Sequence, residues 1–120
     1  MPLEMNNLSF VRDLVARAAS AHGLDEGRSS DLVVSVNELA GNSLRHGGGA
    51  GTLRIWTQGR ALICEIEDAG HIDKPLVGRE RPTTDQERGF GLWLVNQMCD
   101  LVQLRTFKTG SVVRLHMARA

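Results

Sequence analysis

Apolar residues recur at helical spacing near the start of the chain, and the same pattern returns twice further on. The first such stretch predicts an amphipathic helix over Leu8–Ala21, with Ser9 as its N-cap and His22-Gly23 at its end. The residues expected to face the core from this helix are Phe10, Val11, Leu14, Val15 and Ala18.

Two further helices are predicted from the spacing of apolar residues. The second helix runs from about Asp25 or Arg28 to Arg45, and the glycine run Gly47–Gly49 ends it. The third helix covers about Phe90–Cys99.

Alternating apolar and polar residues predict four strands, joined in two hairpins by turns at Gln58-Gly59-Arg60 and Lys108-Thr109-Gly110. The stretch from Ala69 to Gly89 shows neither helical spacing nor strand alternation of apolar residues, and it is predicted to be a loop. A loop of this length inside a compact domain commonly acts as a lid or a binding loop. The predicted strands are Thr52–Thr57, Ala61–Glu67, Leu101–Phe107 and Ser111–Met117.

The order of these elements, α-α-β-β-loop-α-β-β, predicts the fold class. We expect an α+β protein built as a two-layer α/β sandwich, with a mixed, mostly antiparallel sheet covered on one face by about three helices. The length of 120 residues fits one domain over residues 1–120, with a lid over about 69–89.

Composition narrows the range of functions. Lys+Arg and Asp+Glu both count 14, and this zero formal balance argues against a nucleic-acid or membrane-surface partner. The two cysteines, Cys64 and Cys99, have neither metal-site spacing nor the pattern of a disulfide framework, which suits a reducing cytosol. Because the chain also shows no signal peptide and no apolar run near the roughly 20 residues that span a bilayer, we expect a cytoplasmic protein.

The second helix carries a carboxylate and an amide one turn apart, at Glu38 and Asn42. A carboxylate can accept a proton from a nucleophile, and an amide oxygen is a hard ligand that suits Mg²⁺. Taken alone, such a pair is more often a solvated polar face. The apolar stripe predicted on roughly the opposite side of the helix consists of Leu32, Val36, Leu39, Ala40 and Ser43.

A second carboxylate, Asp68, stands at the end of a predicted strand. Strand alternation places it on the apolar side with Leu62, Cys64 and Ile66. A carboxylate that points toward a core needs a donor, and the amino group of a purine could supply one. An aspartate that merely starts a turn is the simpler alternative.

Glycines mark the start of the third helix. Gly89 and Gly91 would let phosphate oxygens approach free backbone N–H groups at the positive end of that helix. Three nearby arginines could pair with phosphates or form a solvated charge run. They are Arg79, Arg81 and Arg88.

Two other features are weaker signals. His46 is interpreted as a capping or packing residue at the helix end, because no second histidine or cysteine lies at ligand spacing. No G-x-x-x-x-G-K-[ST] sequence occurs, which excludes a P-loop.

Taken in order, three motifs resemble those of the GHKL ATPases, and most closely the anti-sigma-factor serine kinases. They are Glu38-Leu-Ala-Gly-Asn42 on a helix, Asp68-Ala-Gly70 after a strand and Gly89-Phe-Gly91-Leu-Trp-Leu-Val95 opening a helix. The resemblance covers about Leu8 to Met117. It implies a Bergerat fold that holds ATP under a lid, between the second helix and the glycine segment.

The resemblance also implies roles for individual residues. Glu38 would be the catalytic base and Asn42 the Mg²⁺ ligand. Asp68 would bind the adenine amino group, with Gly70 allowing close approach. The remaining residues expected to contact the nucleotide are His46, Arg88, Gly89, Gly91, Leu92 and Ser111.

The chain departs from the family pattern at three places. Ile72 stands where the adenine-site motif usually has its last glycine, and Ser111 stands where a threonine is usual. The family usually opens with a β-strand, whereas only seven residues precede the first helix here, which puts the usual edge-strand contributions in doubt.

Two functions follow from the resemblance. The first is a kinase that phosphorylates a serine on an anti-sigma-factor antagonist of the STAS type and controls a sigma factor by partner switching. The alternative is a non-catalytic nucleotide-binding module that regulates transcription through protein interactions. A homodimer is possible because relatives of this kind commonly dimerise, and no direct contact with nucleic acid or membrane is expected.

Overall fold

The structure is a computed structural model that describes residues 1–70 and 87–120, and of residues 87–90 it describes only the helical backbone. A 3₁₀ turn at Met5–Asn7 leads into the first helix. The helices are α1 (Leu8–Ala21), α2 (Glu26–His46) and α3 (Glu87–Met98). The strands are β1 (Pro2–Leu3), β2 (Gly51–Gln58), β3 (Ala61–Asp68), β4 (Leu101–Phe107) and β5 (Gly110–Ala118).

The five strands form one sheet in the order β1-β2-β3-β5-β4, and all four pairings are antiparallel. The sequence predicted a mixed sheet, so the parallel component of that prediction is wrong for the residues described. Hairpins account for two of the pairings, β2 with β3 and β4 with β5, because a tight turn can join only antiparallel strands. The turn between β2 and β3 uses Gly59 at φ +60°, a conformation that favours glycine.

The first strand is present although no sequence pattern predicted it. Pro2 pairs with Thr52 and Leu3 with Gly51, which places β1 at the edge of the sheet beside β2. Leu3 is only 1% exposed and belongs to the core. Because two residues are too few to show an alternating pattern, the doubt about the edge-strand contributions has to be withdrawn.

The three helices cover one face of the sheet, and the core lies between the two layers. Helix α2 is the middle helix, packed against α1 on one side and α3 on the other, and it lies over β3. The fold class predicted from the order of elements is therefore confirmed. Core residues from the helices include Val11, Val15, Leu32, Val36, Leu39, Ala40, Leu92 and Val95, and those from the sheet include Leu53, Leu62, Cys64, Ile66, Val113, Leu115 and Met117.

Two details of α1 differ from the prediction. Phe10 was expected in the core, but its side chain is 59% exposed, and Ala19 completes the buried face instead. Asn7 rather than Ser9 occupies the N-cap position, because the preceding 3₁₀ turn brings the helix start forward. Helix α2 follows its predicted start more closely, since the side chain of Asp25 accepts a hydrogen bond from the backbone N–H of Arg28.

Both cysteines are buried and reduced. Burial raises the pKa of the Cys64 thiol to about 12 and that of Cys99 to about 11. Both thiols are therefore protonated at neutral pH, and they act as small apolar core residues.

The other face of the sheet is polar. Arg54 pairs with Glu67 at 3.0 Å, and Arg114 pairs with Glu65 at 2.9 Å while its guanidinium lies 5.0 Å from the ring centre of Trp56. Over the described ranges, no helix is both long and apolar enough to cross a membrane.

Candidate functional site

Asp68 ends β3 with its side chain on the helix-facing side of the sheet, as strand alternation predicts. The hydroxyl of Ser43 on α2 donates to Oδ2 at 2.6 Å, and the backbone N–H of Gly70 donates to Oδ1 at 2.8 Å. Two donors from different elements therefore fix the orientation of this carboxylate. Sequence reasoning had placed Ser43 in the apolar stripe and missed this contact, although a hydroxyl on a buried stripe always requires a partner.

Two glycines make room for Asp68. A Cβ atom on Gly47 would overlap the carboxyl group of Asp68, and one on Gly110 would overlap its carbonyl oxygen. The N–H of Ala69 also donates to the carbonyl of Gly47 at 3.1 Å, which ties the end of β3 to the end of α2. Gly47 was interpreted from sequence only as a helix stop, and its contact with Asp68 shows that it also shapes the site.

Ser111 lies directly opposite Asp68 in the pairing of β3 with β5. Its side chain is 1% exposed, and its hydroxyl donates to the carbonyl of Gly70 at 2.6 Å. Ser111 therefore anchors the chain that leaves β3, so that the backbone of Gly70 stays beside the carboxylate. The structure thus brings together three predicted residues: Asp68, Gly70 and Ser111.

Glu38 and Asn42 face α3. Asn42 is 3% exposed and Glu38 is partly buried, because the middle helix of the layer is packed on more than one side. The alternative of a solvated polar face is therefore wrong for Asn42. A Cβ atom on Gly91 would lie 2.6 Å from Oε1 of Glu38 and 3.0 Å from Nδ2 of Asn42, so the glycine allows α3 to approach the pair.

The amide of Asn42 is only half satisfied. Its Oδ1 accepts a hydrogen bond from Nη2 of Arg45 at 3.0 Å, but within the described part of the chain its buried Nδ2 has no hydrogen-bond partner. Leaving a buried donor unpaired costs about 1–3 kcal/mol, so such an atom suggests that a ligand or water completes the site. Arg45 was not among the predicted residues, although its position one helical turn from Asn42 is a usable signal.

Asn42 and Asp68 border the same small cavity between the layers. Its volume is about 10 Å³, enough for roughly one water molecule. The carboxylate and the amide therefore converge on one point, at a place where the two layers are almost closed. The lining residues are Leu39, Asn42, Ser43, Ile66, Asp68, Leu92 and Val113.

Helix α3 begins at Glu87, earlier than the predicted start at Phe90. Gly89 therefore lies in the first turn, and Gly91 is the fifth helical residue, beyond the N–H groups that a helix start leaves free. Both glycines were expected to open the helix, which agrees with the position of Gly89, whereas Gly91 lies further along the helix and approaches Glu38 and Asn42. The side chain of Arg88, the residues Arg79, Arg81 and Ile72, and most of the predicted lid lie outside the described residues.

His46 is the last residue of α2, and its side chain is exposed, so it stands at the rim of the site rather than in the cavity. A larger cavity of about 210 Å³ lies on the polar face of the sheet, lined by Glu65, Gln103, Arg105, Phe107, Val112 and Arg114. It contains none of the predicted site residues. The carboxylate of Glu65 in this cavity is already paired with Arg114.

The residues between the layers fit a nucleotide and its metal ion. Glu38 and Asn42 offer hard oxygen atoms of the kind that Mg²⁺ prefers. Nδ2 of Asn42, which has no partner in residues 1–70 and 91–120, and the glycine-walled recess around Asp68 are the features expected of a site completed by a ligand. Fold and site together define a two-layer α+β domain in which Asp68 and Asn42 border one small cavity between the layers.

Comparison with known proteins identifies the family. Residues 1–117 match the family model described as a histidine kinase-like ATPase domain. The match covers nearly the whole chain, so the chain belongs to this family, which is part of the GHKL superfamily. A search of curated proteins finds no match.

Solved structures with the same fold include two histidine kinases. One is the histidine kinase domain of a blue-light activated histidine kinase from Erythrobacter litoralis, with a TM-score of 0.57, 17% identity and coverage of 92% of this chain. The other is the histidine kinase AdeS from Acinetobacter baumannii, with a TM-score of 0.56, 11% identity and coverage of 98%. The chain spans 60% of the first structure and 66% of the second, and the likeness at these identities concerns the fold alone.

Proposed function

We propose that this ATPase-family domain binds ATP with Mg²⁺ and phosphorylates a serine on an anti-sigma-factor antagonist, thereby controlling a sigma factor by partner switching. The observation that carries the nucleotide-binding part is the carboxylate of Asp68, oriented by Ser43 and Gly70 in a recess that it shares with Asn42. A fixed acceptor beside a glycine-shaped wall suits the amino edge of a purine.

Asp68 is proposed to accept a hydrogen bond from the adenine amino group. The bonds from Ser43 and Gly70 fix the orientation of the carboxylate and use two of its about four lone-pair positions. Gly70, held by Ser111, keeps the backbone without a side chain where the ring would lie.

Asn42 is proposed to hold the metal ion through its amide oxygen, and Glu38 to act on the acceptor serine. The bound metal ion would supply neutralisation of the phosphate charge. Glu38 lies one helical turn from Asn42 on the side of α2 that faces α3, so its carboxylate stands beside the proposed metal ligand, where it is proposed to take the proton of the acceptor hydroxyl. Serine specificity rests on this residue, since histidine kinases of the superfamily usually carry asparagine at the position of Glu38.

The partners are proposed from the resemblance to anti-sigma-factor serine kinases. They are a sigma factor and an antagonist of the STAS type, and the active form could be a homodimer. If nucleotide binds without phosphoryl transfer, the chain instead serves as a binding module whose interaction surface is tuned by nucleotide.

Two variants test the proposal in separate steps. Asp68→Asn should weaken ATP binding at least about tenfold in calorimetric titration, because the amide turns one acceptor oxygen into a donor facing the purine amino group. Glu67→Gln is the matched control, since Glu67 is adjacent on β3 but lies on the polar face, paired with Arg54. Glu67→Gln should leave ATP binding unchanged.

Glu38→Ala should retain ATP binding and lose transfer of labelled phosphate to a candidate antagonist. Retained transfer would remove Glu38 from the role of base. Absence of any ATP binding by folded wild-type protein at millimolar concentration would overturn the proposed function as a whole.

A further inference from the structure

Arg45 lies in the last turn of α2 and folds back along the helix. Its Nη2 donates to Oδ1 of Asn42 at 3.0 Å, and a Cβ atom on Gly41 would lie 3.0 Å from its Nη1. The guanidinium therefore lies over Gly41, where the absence of a side chain leaves it space. The side chain of Arg45 is exposed whereas Asn42 is buried, so the arginine can move more easily than the asparagine.

The atom that Arg45 holds is the same atom that the proposed function assigns to the metal ion. An amide oxygen can accept from a guanidinium or ligate Mg²⁺, but two cationic partners at hydrogen-bond and ligand distance would repel each other strongly. Nδ2 offers no alternative, because an amide nitrogen is a donor. Repulsion between the two cations therefore disfavours joint occupancy of Oδ1, although the oxygen has two lone pairs.

We infer that Arg45 is a positioning residue that holds Oδ1 of Asn42 in the nucleotide-free protein and has to release it before that oxygen can ligate Mg²⁺. The inference rests on the proposed function. Arg45 thereby sets how much Mg²⁺ strengthens nucleotide binding. In the absence of ligand the arginine also satisfies one end of an amide whose other end is unpaired within the described residues.

The first test compares the ATP dissociation constants measured by calorimetry in EDTA and in Mg²⁺. The ratio of the two constants should be larger in Arg45→Ala than in wild type by roughly threefold to tenfold, the range that corresponds to one hydrogen bond of ordinary net strength. Arg45→Lys keeps the charge and a donor, and it should give a ratio close to wild type.

Arg12→Ala is the matched control. Arg12 donates to Oδ1 of Asn37 at 3.0 Å, an arginine–asparagine bond of the same length between α1 and α2. This variant loses one positive charge as Arg45→Ala does, but its ratio should stay at the wild-type value. Repeating the titrations at high salt separates the effects, because a through-space charge effect is screened whereas release of a direct contact persists.

The second test observes the side-chain amide of Asn42 by NMR. Without nucleotide its resonances should differ between wild type and Arg45→Ala. With a non-hydrolysable ATP analogue and Mg²⁺ the two spectra should converge at this amide, since Arg45 has left the oxygen. A difference that persists in the Mg²⁺-nucleotide state would overturn the inference.

Failure of the inference about Arg45 can be distinguished from failure of the proposed function. If wild type binds ATP more tightly with Mg²⁺ but Arg45→Ala shows the same ratio, the inference fails and the proposed function stands. If wild type binds no nucleotide at all, both fail. Should Arg45→Ala not fold, Arg45→Gln gives the same comparison with a side chain that retains most of the apolar stem.

Discussion

At the scale of single residues, the site depends on one hydroxyl that bridges the two layers. Ser43 on α2 donates to Asp68 on β3, and this bond joins residues 25 positions apart in the sequence. Among the described residues, the cavity beside it has a volume of only about 10 Å³, room for roughly one water molecule. The N–H of Gly70 orients the other oxygen of the same carboxylate.

Ser43→Ala is therefore expected to lower the free energy of unfolding by about 1–2 kcal/mol, because it leaves one oxygen of a partly buried carboxylate without its donor. Urea denaturation measures the change. Ser30→Ala, at an exposed position of the same helix, should change stability by less than about 0.5 kcal/mol. Equal effects of the two substitutions would show that the bond to Asp68 contributes nothing.

The sequence predicted some of these contacts and not others. The alternation of Leu62, Cys64, Ile66 and Asp68 predicted the side on which the carboxylate lies, because the period of a strand is fixed by its backbone. The bond from Ser43 and the recess at Gly47 depend on how α2 is rotated and placed over β3. No local pattern contains that information.

At the scale of elements, the closeness of α2 and α3 is set by Gly91. A side chain there would meet Glu38 and Asn42 at 2.6–3.1 Å, which is too close for a Cβ atom. In an isolated helix alanine would be favoured over glycine by about 1 kcal/mol. The contact with the neighbouring helix therefore overrides the local preference.

Gly91→Ala is expected to displace Glu38 and Asn42 and to weaken Mg²⁺-ATP binding measured by calorimetry. It should also fail to give the gain in stability that helix propensity predicts, since overpacking costs about 1–3 kcal/mol. Gly27→Ala in the exposed first turn of α2 is the control, because its Cβ would meet Asp25 at an ordinary 3.6 Å. Combining Gly91→Ala with Glu38→Ala should restore stability, and a purely additive result would contradict the assigned clash.

Element boundaries show where sequence reasoning works. The main helices and strands have long periodic patterns, and the order of elements was sufficient to predict the two-layer class. The start of α3 was placed three residues too late, because Glu87, Arg88 and Gly89 add no apolar residue to the periodic pattern from which the helix was predicted. Strand β1 was missed because it consists of two residues.

At the scale of the whole molecule, a second link between the layers lies far from the site, at the other end of α2. Arg28 pairs with Asp100 at 2.9 Å, and the backbone N–H of Ala118 donates to the same carboxylate at 2.7 Å. Fifteen residues of helix separate Arg28 from Ser43, a distance of about 22 Å. Stability contributed at this end can therefore be changed without altering the site.

The hydrogen bond from Ala118 and the neighbouring Arg28 hold the pKa of Asp100 below its ordinary value. A carboxyl group with a lowered pKa in the folded state stabilises the protein above its unfolded pKa near 4, and that contribution disappears as the pH falls through the folded pKa. Asp100→Ala should therefore be less stable than wild type in urea denaturation at pH 7 and pH 5. The difference should shrink below about pH 4.

Wild type and Asp100→Ala both contain His116, whose pKa is lowered by burial and by Arg114. The titration of His116 therefore cancels when the stabilities of the two proteins are compared. A stability difference that is as large at pH 3 as at pH 7 would contradict the role given to the charge of Asp100.

The near absence of free volume beside Asp68 has a thermodynamic consequence. Among the described residues this cavity has room for about one water molecule, so a purine ring can occupy it only after its walls have moved apart, and the apparent dissociation constant equals the intrinsic one divided by the fraction of molecules in that form. Core substitutions that stabilise the closed conformation of this cavity should therefore weaken the binding of nucleotide. The most heat-resistant variants would be among its weakest binders.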